Sequence, residues 1–171
     1  ADPTAQVIHD CFDASGKIIP PVKEWTDVAG LNYSNPKLRE YMIAMLKHWI
    51  DPAGVNLDGF RCDVAGFVPL DFWEQLRPHL ETVKPVFLLG EWEGRDLHAR
   101  SFDATYAWSW YDAVHQIAQG KADVNKLYVY YSWNEKYYPR NIFRMLHLSN
   151  HDLNAWERTE FEAFGDALPA F

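Results

Sequence analysis

From residue 35 onward, short apolar runs alternate with amphipathic segments of helical period, and this alternation restricts the fold more than any other feature of the chain. Asn35-Pro36 reads as a helix start, with Asn as N-cap and Pro at the first helical position. Leu38, Tyr41, Met42, Met45, Leu46, Trp49 and Ile50 follow at helical spacing as a core face, and Asp51-Pro52-Ala53-Gly54 stops the helix. A strand is predicted over 55–62. The cycle then repeats: a helix over 69–83 with Phe72, Trp73, Leu76 and Leu80 inward, a break at Lys84-Pro85, and an apolar run from Val86 to Trp92. A short strand over 101–108, helices over 110–119 and 124–131, the run Met145 to Ser149 and a last helix over 155–164 complete the pattern. Apolar strands alternating with helices imply an α/β fold, a parallel sheet covered by helices.

Residues 1–34 show no sustained period and are punctuated by Gly16, Pro20, Pro21 and Gly30, so they read as a loop-rich segment preceding the regular part. Within it, Trp25 to Tyr33 either line a ligand groove or pack over the core. The whole chain of 171 residues is long enough for a sizeable core. A formal net charge of -8 argues against nucleic acid and anionic membrane as partners, because both need basic patches. No stretch approaches the ~20 apolar residues of a membrane span. Ala1 to Thr4 show no basic or apolar leader pattern, and the expectation is that a signal peptide is absent or already removed. Two cysteines, Cys11 and Cys62, make neither a disulfide scaffold nor a zinc site by spacing, and Cys62 reads as a small buried hydrophobe.

The chemistry concentrates in Val55 to Ala65. Side chains alternate along a strand, so Arg61 and Asp63 face one way and Cys62 the other. A guanidinium there would hold the Asp63 carboxyl ionised; alternatively the two form an ordinary surface ion pair. Three predicted strands end on acids, Asp63, Glu91 and Asp152, and the C-terminal ends of parallel strands share one edge where sites are assembled. Two chemistries fit these residue types. The carboxylates with His151 could hold a divalent metal, or two carboxyls, one with a raised pKa, could cleave a glycosidic bond. Arg61 disfavours the metal. An aromatic share of 16%, with Trp 8 and Tyr 9, suits a groove for sugars.

Gly59-Phe60-Arg61-Cys62-Asp63-Val64-Ala65 resembles the fourth-strand motif of the α-amylase family, glycoside hydrolase family 13. Leu89-Gly90-Glu91-Trp92 resembles its fifth-strand motif, and Leu148-Ser149-Asn150-His151-Asp152 its seventh-strand motif, all in the family's order. Trp25 to Asn35 is similar to the end of the excursion that follows the family's third strand. The resemblance implies a partial (β/α)8 barrel of the TIM type, about four β/α units over 35–171, preceded by the 1–34 loop segment.

It also implies a retaining glycosidase acting on α-glucosidic bonds of starch-like or malto-oligosaccharide substrates. Asp63 would be the nucleophile and Glu91 the acid/base, with Asp152 favouring the distorted transition state. Arg61, His151 and Trp92 would bind substrate or support the acids, with Asp63 expected to titrate low and Glu91 high. Trp92 reads equally as core, and His147 as a core histidine. No cofactor or metal is implied for the chemistry, and the main ligands of the family's structural calcium fall outside the matched motifs. The expectation is a piece of a longer enzyme, or a chain whose barrel is completed by a second copy or a complementing chain. The alternative is a catalytically silent fragment or carbohydrate-binding module.

Overall fold

A computed structural model of the chain describes residues 14, 15, 17 and 19–171. Cys11 and most of the 1–18 stretch lie outside the described residues; those described before Pro36 form turns and bends. The chain divides into two compact units, Ala1–Leu88 and Leu89–Phe171, with the boundary inside a strand. Four strands, β1 (Gly59–Cys62), β2 (Phe87–Gly90), β3 (Ala104–Tyr106) and β4 (Phe143–Met145), lie in one sheet in the order β1-β2-β3-β4. No helix among the described residues is long and apolar enough to cross a membrane.

In the first unit, α1 (Pro36–Ile50) starts as its sequence dictates: the Asn35 side chain accepts a hydrogen bond from the Lys37 N–H, and Pro36 fills the first position. Its buried arc runs through Leu38, Ile43 and Ile50, which corrects the expected core face. Tyr41 falls outside the arc, and Trp49, in the last turn, is 42% exposed. The second helix, α2 (Leu70–Glu81), buries Phe72, Trp73, Leu76 and Leu80 as its period predicts, and packs on α1. Arg39 joins the two helices, bonded to Asp71 Oδ2 at 2.8 Å and Gln75 Oε1 at 3.1 Å. Tyr33, at the end of the loop segment, is buried with its ring 4.7 Å from Phe72, so this part of the loop packs over the core.

The predicted strand 55–62 is shortened to Gly59–Cys62. The Asn56 N–H donates to Asp51 O (3.1 Å) and the Leu57 N–H to Trp49 O (3.0 Å), so residues 51–57 wrap the end of α1 instead of extending. Asn56 adopts φ 59°, and Val55 and Leu57 are left exposed. Gly59 is required by a close approach: a Cβ there would lie 1.9 Å from the carbonyl oxygen of Phe87. Gly59→Ala is therefore expected to lower the unfolding free energy by about 3 kcal/mol. A urea midpoint equal to that of the wild type would refute this contact.

In the second unit β2, β3 and β4 pair in parallel, with Leu89 opposite Ala104, Gly90 opposite Thr105, and Tyr106 opposite Met145. The link from β2 to β3 carries only a short 3-10 turn, Asp96–His98, so strict strand–helix alternation lapses there. Two helices, α3 (Trp108–Ala118) and α4 (Asn125–Tyr137), fill the link from β3 to β4; the second runs six residues beyond its predicted end. The core of this unit gathers Ala107, Trp110, Val114, Tyr130, Ala163 and Phe164. The predicted last helix is broken into a widened π-helical turn, Leu153–Glu157, and α5 (Glu160–Phe164). The break is set by Thr159, which caps α5 in a reciprocal arrangement with Glu162.

His98 is buried, its Nε2 2.7 Å from Thr105 Oγ1. Burial, reinforced by Arg144, pushes its pKa down to about 4. Because the folded value lies below the ordinary 6.5, its stabilisation is complete above pH 6.5 and is lost as the pH falls towards 4. A loss of about 1–3 kcal/mol is expected over that interval. Urea unfolding at about pH 7 and about pH 4.5 checks it; an equal pH slope in His98→Gln would sink the assignment.

Candidate active site

Each acid is placed by the backbone around it. Asp63 directly follows β1, and its carboxylate pairs with the Arg61 guanidinium on the same side of the strand. Cys62 faces away and is half-buried; burial pushes its thiol up to about 12, so it is no nucleophile near neutral pH. Val64 adopts φ 42°, ψ 46°, a left-handed conformation that costs a β-branched residue about 1–3 kcal/mol. The turn is held in place by the Trp73 indole N–H, which donates to Ala65 O at 2.9 Å, and by the Phe67 N–H, which donates to Val64 O at 2.9 Å. Trp25, also predicted as groove or packing, sets its ring 5.6 Å from Phe67.

Glu91 is the first residue after β2, where the Trp92 N–H turns back to Gly90 O at 2.9 Å. Asp152 is displaced from its predicted place: β4 ends at Met145, and Asp152 lies seven residues further on, at the entry to the π-helical turn. Asn150 organises this loop, its Oδ1 accepting from the Leu153 N–H at 2.8 Å and its carbonyl from the Asn154 N–H at 3.0 Å. Despite that displacement, Glu91 and Asp152 line one cleft of about 390 Å³, together with Trp108, Tyr111, His147, Asn150, Leu153, Trp156 and Glu157. Asp63 and Arg61 belong to the first unit. His151 is largely exposed, its Nε2 3.5 Å from Asp152 Oδ2. Trp92 packs edge-on against Trp108 at 5.9 Å, and it is Trp108 that forms the cleft wall.

Sequence reasoning passed over several of these walls. His147, expected in the core, is half-buried and lines the cleft, sandwiched between Tyr106 (5.4 Å) and a parallel Tyr111 ring (5.6 Å). Burial holds its pKa below the usual imidazole range, leaving a neutral ring near pH 7 that can donate and accept hydrogen bonds. Trp156, 85% exposed, gives the cleft an aromatic face open to solvent. The sequence signal was present for Trp156, which follows the third acid by four residues, but not for His147, whose flanking leucines mimic a buried run. Among the described residues, no group of three or more His, Cys, Asp or Glu side chains is placed to hold a metal ion.

Asp63 and Glu91 thus directly follow strands of a parallel α/β sheet, and an aromatic-walled cleft holds Glu91 with Asp152. Comparison with known proteins gives the class. The chain is 28% identical over 132 residues to an α-amylase, MalA, of Haloarcula japonica, a match covering 75% of this chain and 19% of that protein. Its structure is similar to a noncanonic maltogenic α-amylase, AmyB, from Thermotoga neapolitana, with TM-score 0.74, 36% identity, and coverage of 84% of this chain and 34% of that one. An α-amylase from Lactobacillus plantarum gives TM-score 0.74 at 28% identity, covering 82% of this chain and 36% of that one. No protein-family model matches. The chain's curated and structural homologues are thus enzymes of the α-amylase family, glycoside hydrolase family 13, and the chain corresponds to part of their catalytic α/β barrel. It spans about a fifth of the length of that curated relative and about a third of the solved chains.

Proposed function

We propose that the chain carries the chemistry of a retaining glycoside hydrolase acting on α-glucosidic bonds of starch-like or malto-oligosaccharide substrates. The observation that carries the reading is the cleft in which Glu91 and Asp152 meet beneath Trp108, Tyr111 and Trp156. A sugar ring offers apolar C–H faces and a rim of hydroxyls. Aromatic walls match the first, and carboxylates, Asn150 and neutral His147 match the second. The names of the relatives, α-amylase and maltogenic α-amylase, support the same substrate class.

In the proposed cycle Glu91 gives its proton to the glycosidic oxygen as the bond to the anomeric carbon breaks. Asp63, paired with Arg61, forms the new bond to that carbon as a glycosyl ester. Water then attacks the anomeric carbon of that ester; the carboxylate of Glu91 takes its proton, and the bond from that carbon to Asp63 breaks, releasing Asp63 as carboxylate. Asp152 accepts hydrogen bonds from the sugar hydroxyls, most strongly in the flattened transition state. His151 and Trp92 take supporting positions, the first at Asp152 and the second behind Trp108. The catalytic domain is assigned to 35–171, and completion of the barrel by further chain, a second copy or a complementing chain is part of the proposal.

The test is hydrolysis of maltoheptaose followed by proton NMR. Retention requires the α-anomer to appear first. First appearance of the β-anomer would refute the retaining mechanism, and a folded chain that binds sugar without releasing any would be a silent module.

A further inference from the structure

We propose that the groove between α3 and α4 is a second binding site, for a neutral oligosaccharide, sharing no wall residue with the cleft of Glu91 and Asp152. It lies wholly within the second unit and encloses about 580 Å³, within the span of about 300–1,000 Å³ common to small-ligand sites.

One wall is a continuous aromatic surface. Trp133 and Tyr137, one turn apart on α4, set their ring centroids 4.3 Å apart. Trp133 is 59% exposed, a large indole face turned to solvent at the groove mouth. Such a face suits the C–H side of a pyranose, whose burial needs a flat apolar partner and no counter-charge.

Asn134 also lines the groove. Its Nδ2 donates to Tyr130 O at 2.8 Å, which orients the amide and turns Oδ1 into the acceptor. That oxygen is buried and has no hydrogen-bond partner among the described residues. A buried acceptor left open is costly, and a hydroxyl entering the groove would satisfy it.

The charges on the walls select against an ionic ligand. Glu93 and Asp112 bring two carboxylates, Arg95 and Lys126 two cations, so the lining sums to zero. The carboxylates are also engaged. Glu93 pairs with Arg144 and accepts from the Ser109 N–H and hydroxyl, and Asp112 accepts from Lys126 at 3.0 Å. Arg95 lies over the Tyr137 ring at 5.8 Å. A phosphate or an ammonium would have to break one of these pairs, whereas a polyol would not.

The groove is also held in shape. The Tyr138 hydroxyl donates to the Glu93 carbonyl at 3.2 Å, fastening the end of α4 to the segment that follows β2.

The inference stands whether or not Glu91 catalyses, and its test keeps the two apart. Maltoheptaose is titrated calorimetrically into the Glu91→Gln chain, which blocks turnover, and into the same chain carrying Trp133→Ala, Asn134→Leu or Trp156→Ala. Trp133→Ala and Asn134→Leu are each expected to weaken one binding event by roughly tenfold. Trp156→Ala should leave that event unchanged. In the background with Glu91 intact, Trp133→Ala should leave turnover on this soluble substrate at the wild-type rate. Circular dichroism checks that each variant folds; because Trp133 is mostly solvent-facing, its truncation removes little core. Binding insensitive to both Trp133→Ala and Asn134→Leu in folded protein overturns the proposal. Loss of the groove event in a chain that never hydrolyses sugar would sustain it and refute only the catalytic reading.

Discussion

Replacing Asp63 by Asn is expected to abolish hydrolysis of malto-oligosaccharides, lowering turnover by about 10⁴-fold or more, as removal of a covalent nucleophile does. The amide is nearly the same size as the carboxylate, so the effect is chemical. A neutral carboxamide is a poor nucleophile and cannot offer the developing anomeric cation a negative charge. The competing account of this residue makes an opposite prediction. The Asp63 side chain is 72% exposed, and a surface ion pair with Arg61 contributes about 0–1 kcal/mol to stability and nothing to turnover. Rates of reducing-sugar release, measured beside urea midpoints, therefore separate the two: a large rate loss at an unchanged midpoint supports the nucleophile. Wild-type turnover in Asp63→Asn would reduce the Arg61–Asp63 pair to surface chemistry.

The second large effect is expected at Glu91. Glu91→Ala should lower turnover of maltoheptaose by about 10²–10⁴-fold, the usual worth of a positioned general acid and base. Its signature is that the loss depends on the partner molecules. An aryl maltoside with an acidic phenol needs little help in departing, so the glycosyl ester should accumulate as a burst. Azide needs no deprotonation, so adding it should restore turnover and divert the sugar to a glycosyl azide of retained configuration. A residue that merely shapes the cleft would lose rate equally on both substrates and would not respond to azide. That pattern would remove Glu91 from the acid/base role while leaving it in the cleft wall beside Asp152.

The features legible in the sequence share a physical character: they are decided within a few residues. Asn35 caps α1 through the Lys37 N–H two positions on, and Thr159 caps α5 through Glu162 three positions on; only the first was read in advance. The buried face of α2 follows from the spacing of Phe72, Trp73, Leu76 and Leu80. Glu91 falls where an apolar run ends because β2 has no room to continue past Gly90 and the turn at Trp92. The errors fall where a segment finds other partners than its pattern implies. Val55 and Leu57 have strand chemistry, yet the Asn56 and Leu57 N–H groups bond back to Asp51 O and Trp49 O and take the segment out of the sheet. Leu146 and Leu148 flank His147 like a strand, yet β4 pairs with β3 only as far as Met145.

What the sequence alone determined was the order of the acids, the Asn35 cap of α1 and the parallel α/β class, because periodicity and capping are local and each residue's neighbours are already in the string. Only the tertiary structure decided which aromatic rings face solvent and which fill the core. Trp110 is buried while Trp108, two residues earlier, walls the cleft; Tyr130 is buried while Trp133 opens the groove. Composition cannot separate them, since the same residue type, Trp, takes both fates. Their fates are set by whether another helix or strand lies over them, a property of packing between residues tens of positions apart.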